Sequence, residues 1–190
     1  MIDYQQTGCG FGGDISRVLV SSDEIAARVS VIARQLAEQY SRRELTIVSV
    51  LTGSLIFLAD LVRQLPIKMR IDVMSVTSYP GKATRSQGPV ISVAPKVDFA
   101  GRDVLILDDI LDSGQTLQAI MDYIAVESPA SIRSCVLLEK ARPEIPDRFQ
   151  ADYVGFSLPD EFVVGYGLDY NHLYRNLPDI CVLDDSVYKE

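Results

Sequence analysis

Two adjacent carboxylates, Asp108 and Asp109, follow an apolar run, Val104-Leu105-Ile106-Leu107. After Ile110 and Leu111 comes a small polar turn, Asp112-Ser113-Gly114-Gln115-Thr116. The period then changes, with Leu117, Ile120, Met121 and Ile124 recurring at helical spacing. The spacing predicts a buried strand, a loop and the start of a helix. Short hydroxyl residues and a glycine at a helix N-terminus leave backbone N–H groups pointing outward, where the helix dipole adds partial positive charge. An anion fits there, and phosphate fits best. The two acids would repel phosphate, so they need a different partner: a divalent cation, or the hydroxyls of a sugar. A ribose phosphate carries both matching groups. The turn is not a Walker loop, because no G-x-x-x-x-G-K-[ST] run occurs, and it does not match G-x-G-x-x-G.

Read as a whole, VLILDDILDSGQT resembles the phosphoribosyl-pyrophosphate (PRPP) loop of the type I phosphoribosyltransferases: an apolar strand, two acids, two apolar residues, then D-[ST]-G-x-T. The resemblance implies that Asp108 and Asp109 hold the ribose hydroxyls and a Mg²⁺ ion. It implies that Asp112, Ser113, Gly114, Gln115 and Thr116 complete the ribose-phosphate site, with residues 113–116 cradling the 5′-phosphate.

The elements that position such a loop are legible around it. Ser21 or Ser22 can cap a helix whose stripe is Ile25, Val29, Ile32 and Leu36, ending near Tyr40. Leu45–Leu51 is a β-branched strand, Thr52-Gly53-Ser54 its turn, and 55–64 the next helix. Strands are also expected at 69–77, 91–93, 132–138, 153–156 and 180–183. Strands alternating with helices imply an α/β fold, a mostly parallel central sheet flanked by helices. With no linker or repeat, we expect one domain over 1–190. A Gly-rich, loosely ordered lead-in is expected over 1–16, and a small C-terminal hood from about 140 to 190. The loop from Ser78 to Pro89 contains too much Pro, Gly and Ser for helix or strand, and its length suggests a lid. Purine phosphoribosyltransferases open a mobile loop at this point with a Ser-Tyr pair, which Ser78 and Tyr79 match.

Composition narrows the partners. The chain has 190 residues, is 47% hydrophobic and carries a net charge of −8, a balance that disfavours nucleic acid. A phosphorylated substrate then has to be held locally by amides and metal. No apolar run is long enough to span a membrane, and the N-terminus lacks the pattern of a signal peptide. Cys9, Cys135 and Cys181 are odd in number and scattered, as expected for reduced thiols in a cytoplasmic protein.

The C-terminal part narrows the resemblance. Lys140 in LLEKARP, the run EFVVGYGLDY (161–170) and Tyr174-Arg175 occur in the order found in the hypoxanthine-guanine phosphoribosyltransferases. The likeness runs from about Leu45 to Leu183. It implies transfer from PRPP to hypoxanthine or guanine, giving IMP or GMP plus pyrophosphate, in purine salvage, by a homodimer or homotetramer. Lys140, a donor with no acceptor capacity, would bond the O6 acceptor of a 6-oxopurine and reject the donor that adenine presents there. Phe162 would stack on the base, Val163 would bond its edge, and Asp169 would flank it and help hold a second Mg²⁺ ion. Asp112 would be the general base. Thr52, Gly53 and Arg175 would meet the pyrophosphate. Members often carry a basic residue where Thr52 stands and Lys where Gln115 stands, so weaker PRPP binding is expected here. His172 is assigned no catalytic role. Two rivals are a xanthine-preferring enzyme and, from another class, a nucleic-acid-binding regulator that keeps the fold and senses PRPP. Binding across a salt series would single out the latter.

Overall fold

The computed structural model describes residues 4, 11, 13–78, 89–145 and 148–188, with only the backbone of Ser78. Nine strands and four helices are assigned among them. The central sheet has the order β4-β3-β2-β5-β6-β7: β2 is Leu45–Leu51, β3 Met69–Ser78, β4 Pro89–Val93, β5 Asp103–Leu111, β6 Ser131–Lys140 and β7 Tyr153–Leu158. Every pairing in it is parallel except β3 with β4. The mostly parallel α/β architecture expected from the alternation is therefore present.

Side-chain alternation explains the layers. Ile47, Leu105, Leu107, Cys135 and Leu137 pack on one face with helices α1 (Ser22–Tyr40) and α2 (Leu55–Val62). Their neighbours Val48, Val104, Ile106 and Val136 pack on the other with α3 (Gln115–Ala125). Both faces are covered, so these strands read as continuous apolar runs rather than alternating ones. The N-terminus of α1 is fixed by a capping box in which Ser21 accepts from Glu24 N and Glu24 accepts from Ser21 N.

β5 runs past the expected apolar core and carries both acids within the strand. It sits between β2 and β6, where successive crossovers diverge. Open α/β sheets bind ligands at such a switch point, outside the carboxyl ends of the strands.

A second antiparallel sheet, β1-β9-β8, forms the hood: β1 is Ile15–Val20, β8 Val163–Val164 and β9 Ile180–Leu183. Two expectations shift here. Residues 15 and 16 belong to a strand rather than to a lead-in, because Ile15 pairs with Leu183 and is buried. The hood begins after Leu158 instead of near 140, because β7 belongs to the main sheet. Asp179 ties the layers together: it accepts from Tyr4 Oη at 2.5 Å and from Ser22 N at 2.6 Å. The short helix α4, Asp185–Tyr188, closes the described chain. No helix among the described residues is long and apolar enough to cross a membrane. Cys135 and Cys181 are free and buried, as their apolar strands predict.

Tyr40 is buried with no hydrogen-bond partner for its hydroxyl among the described residues. Burial pushes its phenol above the ordinary value, and burial with a hydrogen bond to Asp60 does the same for Tyr166. An acid whose folded value is raised stabilises the fold fully below its unfolded value and loses that contribution as pH rises. Stability is therefore expected to fall once pH passes the unfolded phenol value of about 10. Urea midpoints taken on either side of that pH check this, and an unchanged midpoint would refute it.

Candidate active site

The carboxyl ends of β2 and β5 and the turn into α3 enclose a cavity of about 370 Å³. Thr52, Gly53, Asp108, Asp109, Asp112, Ser113, Gly114, Thr116, Asp169 and Arg175 all line it. Residues separated by more than a hundred positions thus converge on one cavity. Gln115 lines a neighbouring groove with Gln118 and Phe149 instead. Lys140, Phe162 and Val163 are not among this cavity's lining residues. Tyr79 lies outside the described residues, and Ser78 ends β3.

The turn into α3 is built as an anion cradle requires. Gly114 is the N-cap, in the left-handed region at φ 86°, and has no side chain of its own to cap the helix. A Cβ at Gly114 would lie 2.5 Å from the Cβ of Phe149, so both backbone conformation and space call for glycine. The Gln115 N–H, first in α3, donates to Ser113 Oγ at a long 3.4 Å, and the N–H groups that follow it are left for a ligand.

Opposite stands the turn after β2. The Leu51–Thr52 peptide is cis. Ser54, which was not singled out in the sequence, is buried, donates to Val50 O at 2.5 Å and meets Ser49 Oγ at 2.7 Å. These bonds hold Thr52 and Gly53 against the cavity. A Cβ at Gly53 would fall 1.5 Å from Asp109 Oδ2, and one at Gly167 would fall 2.0 Å from Gly53 O. Glycines 53 and 167 therefore let three chain segments close on one carboxylate.

Asp108 and Asp109 each accept the N–H of the following residue, at 3.0 and 2.9 Å. Burial pushes both carboxyls above the usual range, and the charge of Asp109 pushes Asp108 further. Two adjacent acids of this kind, one buried and one half-buried, are relieved by a cation. Among the described residues no three Asp, Glu, His or Cys side chains form a cage for one. Magnesium suits this set, since it commonly takes one or two carboxylates and leaves its other positions to water and phosphate. Asp169, the third expected ligand, has other partners: Arg175 Nη2 at 2.7 Å and His172 N at 2.9 Å. Arg175 Nη1 also donates to Gly167 O at 2.5 Å, so the guanidinium is aimed from two sides. The His172 side chain is 95% exposed.

Beyond Asp112 the site continues as a string of charges. Arg142 donates through Nε to Asp112 Oδ1 at 2.5 Å and through Nη2 to Asp112 Oδ2 at 3.1 Å. These bonds hold the Asp112 carboxyl below the usual range. Arg142 Nη1 donates to Asp160 as well, and Lys140 Nζ lies 3.4 Å from the other oxygen of Asp160. Arg148 donates to Lys140 O at 2.6 Å and Leu111 O at 2.9 Å, tying the end of β6 to the residue before Asp112. Arg142, Arg148 and Asp160 were not found from sequence, where KARP reads as a solvated strand end. Phe162 and Asp160 line a second cavity of about 500 Å³ with Arg17 and Tyr188. The Phe162 ring stacks on Tyr188 at 4.8 Å and meets Tyr170 edge-on at 5.6 Å.

The phosphoribosyl transferase domain family matches residues 19–171. The hypoxanthine-guanine phosphoribosyltransferase of Streptococcus pneumoniae is 42% identical over 92% of this chain and 97% of its own length. That of Aquifex aeolicus is 40% identical over 89% and 95%. A hypoxanthine phosphoribosyltransferase structure from Staphylococcus aureus superimposes with a TM-score of 0.89 at 36% identity, covering 97% of this chain and all of that one. The chain spans only 27% of the bifunctional TilS/HprT proteins of Listeria that it also matches. With a family match over most of its length and such relatives covered nearly end to end, the chain belongs to the phosphoribosyltransferases, among the hypoxanthine-guanine members of that family.

Proposed function

We propose that this domain transfers the 5-phosphoribosyl group of PRPP to hypoxanthine or guanine, releasing pyrophosphate and IMP or GMP, in cytoplasmic purine salvage. One observation carries the reading. A helix N-terminus led by a glycine, an adjacent acid pair and an aimed guanidinium line a single cavity. Those groups match the 5′-phosphate, the ribose diol and the pyrophosphate of PRPP.

The roles follow from chemistry. The amides of residues 113–116 receive the 5′-phosphate. Asp108 and Asp109 accept from the ribose hydroxyls and would hold Mg²⁺. When bound, that ion neutralises charge on the departing pyrophosphate. Arg175, fixed by Asp169 and Gly167, supplies the fixed positive charge on the same side. Thr52 and Gly53 offer backbone to the pyrophosphate. Asp112 accepts the N7 proton as N9 of the base attacks C1′. Lys140 donates to O6, Phe162 stacks on the base, and Val163 bonds its edge. Asp169 fixes Arg175 on the pyrophosphate side, and its carboxylate would help hold a second Mg²⁺ there. Ser78 and Tyr79 begin the lid that keeps water from the reacting C1′. A homodimer or homotetramer is the proposed assembly; exposed Ile71, Val90 and Val93 on neighbouring strands give it apolar surface.

Steady-state assays with hypoxanthine, guanine, xanthine and adenine test the proposal. PRPP-dependent pyrophosphate release with the first two is expected. Preference for xanthine would reassign the substrate, and turnover of adenine would refute the role of Lys140. Lys140→Ala is expected to raise the KM for hypoxanthine about 10- to 100-fold, the loss of one charge-assisted hydrogen bond. The KM for PRPP should move far less. The reverse pattern would put Lys140 on the phosphates.

A further inference from the structure

We propose that Arg142 is a positioning residue that clasps Asp112 and gives it up to the incoming base, drawn off by Asp160. The inference rests on the reading of Asp112 as general base. Both oxygens of Asp112 are engaged by one guanidinium, Oδ1 by Nε at 2.5 Å and Oδ2 by Nη2 at 3.1 Å. A carboxylate clasped on both oxygens is well oriented but weakly basic, since every proton it takes must displace a cation. Proton transfer therefore requires Arg142 to withdraw.

The structure supplies a place for it to go. Arg142 Nη1 already donates to Asp160, and Glu144 lies 3.8 Å from the same nitrogen. Asp160 also has a second cation, Lys140 Nζ, at 3.4 Å. Lys140 is the group assigned to O6 of the purine. When Lys140 turns to O6, Asp160 loses one of its two cations and attracts Arg142 more strongly. Base recognition at O6 is thereby coupled to release of the base catalyst at N7. The handover is electrostatic and local: Asp160 and Asp112 are about half exposed, 51% and 50%. Solvent screens these half-exposed groups, and melting temperatures recorded beside the rates separate turnover from stability.

The test is a double-mutant cycle in the full chain, with hypoxanthine and PRPP as substrates. Asp160→Asn removes the attracting carboxylate and leaves Arg142 on Asp112. We expect kcat to fall about tenfold, with the KM for PRPP and the melting temperature little changed. Adding Arg142→Gln should restore most of that loss, because the clasp is gone. A merely structural role predicts the opposite, a double variant at least as impaired as the single. Wild-type kcat in Asp160→Asn, or no recovery in the double variant, overturns the handover. Asp112→Asn is assayed alongside: a slow enzyme there with no recovery in the cycle refutes only the handover. Normal turnover in Asp112→Asn refutes the general base, and the handover with it.

Discussion

Asp112→Asn is expected to lower kcat by about 10²- to 10⁴-fold, the usual contribution of a positioned general base. The substitution is nearly isosteric and keeps the turn intact. The carboxylate is half exposed, so solvent screens its bidentate pair with Arg142 and the loss of that pair costs on the order of 1 kcal/mol. A change in melting temperature of only a few degrees should therefore accompany the collapse in rate. The KM for PRPP should change little, because the 5′-phosphate is held by the amides of Ser113 to Thr116 rather than by this carboxylate. Stopped-flow or steady-state release of pyrophosphate checks the first point and thermal unfolding the second. Turnover within a few-fold of wild type would remove Asp112 from proton transfer and leave solvent as the acceptor.

What could be read from the sequence follows a physical divide. β5, its turn and α3 were legible because a change of period from buried strand to helix is local, and a glycine followed by hydroxyl residues marks the junction. The covered faces of β2, β5 and β6 were legible for the same reason. β1 was not: ISRVLV is interrupted by polar residues, and its partner β9 is some 160 residues away. The site divides similarly. Asp108, Asp109 and Ser113 to Thr116 share one segment and one chemistry. Arg142 reaches Asp112 across thirty positions, and nothing in KARP distinguishes a clasping arginine from a solvated one. Gly53 was found only through resemblance. That its missing side chain makes room for Asp109 follows from three segments meeting, and no sequence period encodes such a meeting.

That meeting carries the other large expected effect. Gly53→Ala places a methyl carbon 1.5 Å from Asp109 Oδ2, far inside any tolerated contact. Gly53 is not in the left-handed region, so alanine is sterically possible for its own backbone, and the conflict lies wholly with the carboxylate. Either Asp109 swings away or the pyrophosphate turn shifts by an ångström or more. Displacements of that size commonly cost about 10²-fold in rate. We expect at least that loss in kcat/KM for PRPP, with a lower melting temperature. Asp109→Ala separates this steric conflict from a general weakness of the turn. In that background the three atoms nearest the methyl group are gone, so adding Gly53→Ala should cost much less further stability, a strong departure from additivity. Equal destabilisation by Gly53→Ala in both backgrounds would mean that the glycine serves the turn alone. The buried acid and the pyrophosphate loop would then be neighbours without being fitted to each other.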